Sequence, residues 1–373
     1  MTAVLVIFGT RPECIKLAPV IEELKRNEVD YKVCVTAQHR EMLDPFIEFF
    51  DIRVDYDLNI IKPNQDLYHV TTETLTKLRD ILRKEQPKLV IVQGDTTTAF
   101  ASALASFYEK IPIAHVEAGL RTYQKYSPFP EEINRKYIDH ISDFLFAPTQ
   151  HSKENLLNEG IPNEKIYVTG NTVVDALHMI LNSDKFKNTT VPFEPSDGKR
   201  LILVTAHRRE NFGQGIENIC HALKKVVETY EDIEVVYPVH LNPNVQEPVK
   251  RILGGVERIH LIEPVGYLEL LKLMQISDFI LTDSGGIQEE APTFKKPVLV
   301  LREFTERPEG IEIGIAKLVG TDINKILSEV EKIIKDGQMS NAIKTAKNPY
   351  GDGKAAKRII NVIKNFLTSN IYE

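Results

Sequence analysis

Long apolar runs, a cysteine framework and a basic excess are all missing from this chain, and each absence removes a class of protein. No uninterrupted hydrophobic stretch approaches the roughly 20 residues that span a bilayer. The N-terminal run AVLVIF is too short for a secretory h-region and leads straight into a glycine turn. Cys14, Cys34 and Cys220 are odd in number, far apart and without metal-ligand spacing, which reads as the reduced thiols of a cytoplasmic protein. A formal net charge of -7 argues against a nucleic-acid surface, because tracking phosphates needs clustered Lys and Arg. Any anion site must therefore be local. No G-x-G-x-x-G follows a strand pattern, so bound NAD is disfavoured, and neither H-E-x-x-H nor a Cys/His cluster implies a catalytic metal. The expectation is no cofactor, no metal, no nucleic acid and no membrane.

What is present is the pattern of a globular α/β protein. Hydrophobic content of 42% and charged content of 27% are ordinary for a folded domain, and 373 residues exceed what one core usually supports. Short apolar runs alternate with helical patterns, the mark of parallel sheets. In the first half these runs are AVLVIF (3 to 8), YKVCVTA (31 to 37), a weaker one near Val54, KLVIVQG (88 to 94), PIAHV (112 to 116), DFLFAP and KIYVTG. Thr10 and Glu13 make a T-x-x-E capping box for a helix running to about Arg26. Residues 181–199 are polar, hold two prolines and a glycine, and read as a linker. The scheme then repeats with RLILVTA, IEVVYPV, RIHLIEP, DFILTD and PVLVL. The expected domains are 1–180, then 200–353, with a last helix from 354 that returns to the first domain.

The polar residues collect just after the strands in both halves, and open parallel sheets bind ligands outside the carboxyl ends of their strands. From the first half come Arg11, Lys16, Asp95 and Glu117; from the second come His207, Arg208, Arg209, His240, Ser284 and Arg307. Two such edges facing each other would make a cleft. In TDSGGIQEEAP (282 to 292), a hydroxyl and two glycines at a strand-to-helix turn offer backbone N–H groups to a phosphate. Glu290, one helical turn beyond Gly286, suits two ribose hydroxyls. An ordinary tight turn is the competing reading of a lone Ser-Gly-Gly.

Taken together, GTRPECIK, TAQHREMLD, VQGDTTT, HVEAGLRT, PFPEEINR, TAHRREN, SGGIQEEAP and TERPEG resemble the non-hydrolysing UDP-N-acetylglucosamine 2-epimerases over nearly the whole chain, in family order. The resemblance implies a GT-B-like fold, two Rossmann-like doubly wound domains facing across a cleft, with the nucleotide held mainly by the second. It also implies a homodimer and a UDP-N-acetylhexosamine substrate. The C2 hydrogen of that substrate is not beside a carbonyl, so the family route is elimination of UDP to 2-acetamidoglucal and re-addition with the proton returned to the opposite face. A base near C2, stabilisation of the departing diphosphate and a closed site are then required.

By the same resemblance Asp95, Glu117 and Glu131 are the catalytic carboxylates, joined by His207. Arg11, Lys16, His207 and Arg307 would surround the diphosphate, and Ser284, Gly285 and Gly286 would bind phosphate through backbone N–H groups. Val265 and Leu270 would hold uracil. The structural alternatives are a helix N-cap for Asp95, a first-turn dipole partner for Glu131, a solvated helix lysine for Lys16 and a buried structural histidine for His207. Gln38, His39, Arg40, Arg208 and Arg209 resemble a site for a second, activating UDP-N-acetylglucosamine. Asn64-Gln65 departs from the bacterial pattern, in which an arginine precedes the glutamine, so weaker activation is expected. A hydrolysing epimerase, a GT-B glycosyltransferase and a sugar-nucleotide-binding regulator are the other readings of these residues.

Overall fold

VLVIF is buried at every residue and forms β1 (Val4–Phe8); a strand apolar on both faces belongs in the interior of a parallel sheet. The computed structural model describes residues 2–38, 40–335 and 337–369. In it the chain divides into two compact units, one reaching to Met179 and resuming at Tyr350, the other running from Ile180 to Pro349.

The first unit adds β2 (Tyr31–Val35), β3 (Tyr56–Asp57), β4 (Leu89–Gln93), β5 (Ile113–Val116), β6 (Phe144–Ala147) and β7 (Ile166–Val168) in one parallel sheet of order β3-β2-β1-β4-β5-β6-β7. Its helices are α1 (Arg11–Arg26), α2 (Arg40–Phe49), α3 (Leu67–Glu85), α4 (Thr97–Tyr108), α5 (Glu131–Ile141), α6 (Gln150–Asn158) and α7 (Thr172–Asn182). Alternate residues of β1 serve the two faces. Val4, Val6 and Phe8 pack with Leu17 and Leu24 of α1, whereas Leu5 and Ile7 pack with Leu78 and Leu82 of α3 and Ala99 and Ala103 of α4.

The second unit holds β8 (Arg200–Thr205), β9 (Ile233–Pro238), β10 (Ile259–Ile262), β11 (Phe279–Thr282), β12 (Val298–Val300) and β13 (Ala316–Leu318), parallel in the order β10-β9-β8-β11-β12-β13. Around it lie α8 (Asp184–Lys187), α9 (Gln214–Thr229), α10 (Pro243–Leu253), α11 (Tyr267–Ile276), α12 (Gly285–Glu290), α13 (Glu309–Glu312), α14 (Ile323–Lys335) and α15 (Gln338–Thr345). Two features here escape the sequence pattern. β13 is only Ala-Lys-Leu, too short to show a period. The polar stretch 181–199 contains α8, and it is fastened to the second sheet, with Phe193 against the His260 ring and the Ser196 hydroxyl and N–H on Glu234.

The final helix, α16 (Ala355–Thr368), lies in the first unit and buries Ala356, Ile359, Ile360 and Ile363 in the core that α1 shares. Its start is held by Asp175, whose carboxylate accepts the N–H groups of Ala355 at 3.1 Å and Ala356 at 2.9 Å. In each sheet the chain winds outward in opposite senses from a switch point, between β1 and β4 in the first and between β8 and β11 in the second. Those are the places where doubly wound sheets bind ligands.

Candidate active site

At the first switch point β1 ends in Gly9, and a Cβ there would overlap the hydroxyls of Thr36 and Thr98, so only glycine lets the backbone pass. The capping residue Glu13 does more than cap. Its Oε2 accepts the N–H groups of Gly9 at 3.0 Å and Thr10 at 2.7 Å, while Oε1 takes the Thr96 hydroxyl at 2.7 Å. The turn after β1 is thereby pinned to the turn after β4. Burial pushes the Glu13 carboxyl above its usual range, with these donors pulling the other way.

Asp95 and Glu117 follow β4 and β5, whose register pairs Gln93 with Val116 and so sets the two carboxylates at adjacent strand ends. Asp95 is not the helix cap; Thr96 is, accepting the Ala99 N–H at 3.0 Å. The Asp95 carboxylate is left to Arg135, which donates to Oδ2 from Nε at 3.0 Å and from a terminal nitrogen at 2.6 Å. Glu117 sits at φ 72°, a left-handed conformation costly for a residue with a side chain and concentrated at functional sites. Its carboxylate bonds Lys16 and takes Gln93 Nε2 at 3.1 Å. Lys16 therefore neutralises Glu117 in this structure, a partner the diphosphate reading did not include.

Glu131 opens α5, half-buried, after Pro130 at the cap, and the peptide bonds preceding Pro128 and Pro130 are cis. Arg135, one turn on, ties that helix to Asp95, and Asn134 donates to the Asp95 carbonyl at 2.9 Å. The three carboxylate-bearing segments thus meet at one sheet edge. Arg11 starts α1 beside the same turn, half-buried. Gln38 is held by Gln65 at 2.8 Å and by the Thr98 hydroxyl at 2.8 Å, and Arg40 is paired with Asp57 at 2.6 Å and Asp44 at 3.2 Å. His39 lies outside the described residues.

At the second switch point β8 and β11 are stitched by a Thr205–Thr282 hydroxyl contact of 2.6 Å and deliver His207 and Asp283. His207 stacks on His240, ring centroids 5.5 Å apart at 14°. Burial lowers the His207 pKa from its ordinary value; Asp283 pulls it up, while His240 and Arg208 press it down. Ser284 caps α12, its N–H held by the Thr282 hydroxyl at 2.9 Å. Gly285 is glycine for a reason: a Cβ there would come 2.6 Å from the Arg307 guanidinium, which lies against the start of the helix. Gly286 beside it is exposed. Arg307 is oriented by Glu289 at 2.7 Å and by Glu306, and Arg302 by Glu306 at 2.9 Å and Glu210 at 2.8 Å. Arg208 is half-buried near Arg302, and burial together with that neighbour lowers its pKa, against the pull of Glu306 and Glu210. Arg209 is exposed. Glu290 accepts the Tyr267 hydroxyl at 2.7 Å, which joins α12 to the start of α11. There Val265 precedes the Gly266 cap, and the Leu270 N–H bonds the Gly266 carbonyl at 2.9 Å. The residues expected at ribose and uracil are thus on neighbouring elements.

The sequence model described as UDP-N-acetylglucosamine 2-epimerase matches residues 22–364. The chain belongs to the UDP-N-acetylglucosamine 2-epimerase family. It is 52% identical to the UDP-N-acetylglucosamine 2-epimerase of Escherichia coli (strain K12) over 370 residues, 97% of this chain and 98% of that protein. The crystal structure of UDP-GlcNAc 2-epimerase from Neisseria meningitidis bound to UDP-GlcNAc superposes with a TM-score of 0.90 at 50% identity, covering 98% of this chain and all of that one. A glycotransferase of kitacinnamycin, 10% identical with a TM-score of 0.67, shares the fold alone, which is GT-B-like.

Several residues beside the candidate site carry no signal that single-residue reasoning isolates. His115, fully buried in β5, places Nδ1 2.7 Å from Asp139 and Nε2 2.7 Å from the Gly94 carbonyl, next to Asp95. Asp139 also holds Arg121 at 2.7 Å, and Arg121 reaches Glu159 at 2.6 Å. Burial would raise the Asp139 pKa, but attraction to His115 and Arg121 prevails and holds it below the usual range. A histidine inside an apolar strand, IAHV, was the available clue. Arg135 and Asp283 offered none, because their partners lie 40 and about 75 residues away in sequence. Among the described residues no three His, Cys, Asp or Glu side chains are placed to hold a metal ion, and no helix is long and apolar enough to cross a membrane.

Proposed function

We propose that this chain interconverts UDP-N-acetylglucosamine and UDP-N-acetylmannosamine. A carboxylate takes the C2 proton, the C1–O bond breaks with its electron pair leaving on the diphosphate, and the C1–C2 double bond of 2-acetamidoglucal forms. UDP then adds back at C1 while a carboxylic acid protonates the other face of C2. The observation that carries this reading is the meeting of Asp95, Glu117 and the Glu131 helix at one sheet edge, with Lys16 and Arg135 hydrogen-bonded to two of the carboxylates. Arg307 over Gly285, the half-buried Arg208 and His207 suit the departing diphosphate. Gly286 supplies a backbone donor, whereas the Ser284 N–H expected beside it is already given to the Thr282 hydroxyl; Glu290 holds ribose and Val265 with Leu270 hold uracil. Incubation with UDP-N-acetylglucosamine and no acceptor, followed by NMR, tests this. The expected product is a UDP-linked epimer; free N-acetylmannosamine would assign a hydrolysing epimerase, and no turnover without an acceptor a glycosyltransferase.

The enzyme is proposed to be cytoplasmic, in keeping with three buried, unpaired thiols, and a homodimer. Phe107 and Tyr108 on α4 and Tyr137 on the neighbouring α5 are exposed aromatic side chains suited to contact with a second copy. A monomer in sedimentation would contradict that. Activation by a second nucleotide sugar that engages Gln38 is also proposed. Arg40 is already committed to Asp57 and Asp44, which favours weak activation. Starting from pure UDP-N-acetylmannosamine, a short lag removed by a trace of UDP-N-acetylglucosamine is expected; a linear rate from the outset would rule it out.

A further inference from the structure

Asp283 is fully buried directly before the Ser-Gly-Gly turn, where a negative charge opposes any phosphate unless it serves another group. Its Oδ2 is saturated, accepting the N–H groups of His207 and Arg208 at 2.8 Å each and Asn211 Nδ2 at 3.1 Å. Its Oδ1 is buried with no hydrogen-bond partner among the described residues, and lies 3.5 Å from His207 Nδ1. A buried carboxylate oxygen left unpaired is costly, and a small rotation of the half-exposed imidazole would satisfy it. We propose that Asp283 is the positioning residue of His207: its open Oδ1 takes the Nδ1–H and fixes the tautomer whose Nε2 is bare and directed away from Asp283. The inference rests on His207 acting at the leaving diphosphate.

The chemistry follows from which nitrogen is free. With Nδ1–H held, Nε2 accepts a proton in one half-reaction and donates it to the departing phosphate oxygen in the other. The other groups facing the ring give it no alternative anchor. Arg208 is cationic, and the stacked His240 uses its own Nδ1 to accept the Asn242 N–H at 3.1 Å. Asp283 is then the negative charge that favours the imidazolium against burial, His240 and Arg208.

Asp283→Asn isolates the point. The amide oxygen keeps the three donors and the amide nitrogen replaces Oδ1, so the loop is retained while the partner of Nδ1 changes from acceptor to donor. Long-range proton–nitrogen spectra of histidine-labelled protein, with His207 assigned by its loss in His207→Gln, read the tautomer without any assay. In the wild type the neutral ring should be Nδ1–H. In Asp283→Asn it should become Nε2–H, with its titration midpoint lower by about one pH unit or more. Turnover should fall by about 100-fold or more at unchanged KM. A wild-type Nε2–H ring, or a variant with the same tautomer and midpoint, overturns the proposal, as does UDP affinity lost together with turnover, which marks a collapsed loop. If His207→Gln turns over normally, the catalytic reading of His207 fails, while the spectra still decide the pairing.

Discussion

Beside the switch point of the first sheet β4 runs out into Asp95 and its neighbour β5 into Glu117; at that of the second the strands run out into His207 and into Asp283 followed by Ser-Gly-Gly. The strand order around the two points is the same for six strands. The charges are not. In the first unit cations hold the carboxylates at the sheet edge, Lys16 on Glu117 and Arg135 on Asp95. In the second, acids orient a cation, Glu289 and Glu306 on Arg307. One scaffold used twice is therefore proposed to supply proton traffic at one edge and an anion seat at the other, decided by a few residues after the strands.

The strongest way to break that division is to neutralise the acidic edge. Asp95→Asn, Glu117→Gln and Glu131→Gln should each lower kcat by about 100-fold or more while leaving UDP affinity close to wild type, measured by steady-state kinetics and calorimetry. Weakened UDP binding in these variants would show that the two edges are not separate in function. The converse test acts on the basic edge. Arg307→Ala should weaken UDP by roughly 10- to 100-fold, the scale of a lost charged hydrogen bond of about 1.5–3 kcal/mol, and Glu290→Ala should act on UDP affinity before turnover. Gly285→Ala should do the same more mildly, about several-fold, because its methyl displaces the Arg307 guanidinium without removing it.

The smallest effect expected lies away from both edges. Glu85, near the amino ends of the first strands, accepts from Thr2 at 2.6 Å, Lys32 at 2.7 Å and Tyr56, and these partners, Lys32 foremost, push its pKa down to about 2. An unfolded glutamate titrates near about 4.3. Its stabilisation is therefore complete above that value and is lost as pH falls toward 2. Glu85→Gln should flatten the fall of Tm between about pH 4 and 2 and leave kcat at neutral pH unchanged. An unaltered acid transition would show that the cluster contributes nothing to folding.

Strand positions were legible because residues such as those of β1, β4 and β8 are apolar on both faces, and the residues that follow them mark the sheet edge. Glu13 was legible as a cap because its partner is local. What stayed hidden was long-range pairing. The assignment of Lys16 to Glu117, of Arg135 to Asp95 and of Asp283 to the His207 loop joins segments 101, 40 and 76 residues apart, and no periodicity encodes which charge meets which. Short or polar elements were hidden too, β13 for want of length and α8 inside a stretch whose composition is that of a loop.

Elimination and re-addition require the C2 hydrogen to leave the sugar on an acid whose proton exchanges with water, and this separates the proposed reaction from any route that keeps the hydrogen. Turnover of UDP-N-acetylglucosamine in deuterium oxide, stopped early and read by proton NMR, measures that step alone. UDP-N-acetylmannosamine bearing deuterium at C2 is the expected result; product that retains the original hydrogen there would contradict the carboxylate-driven elimination.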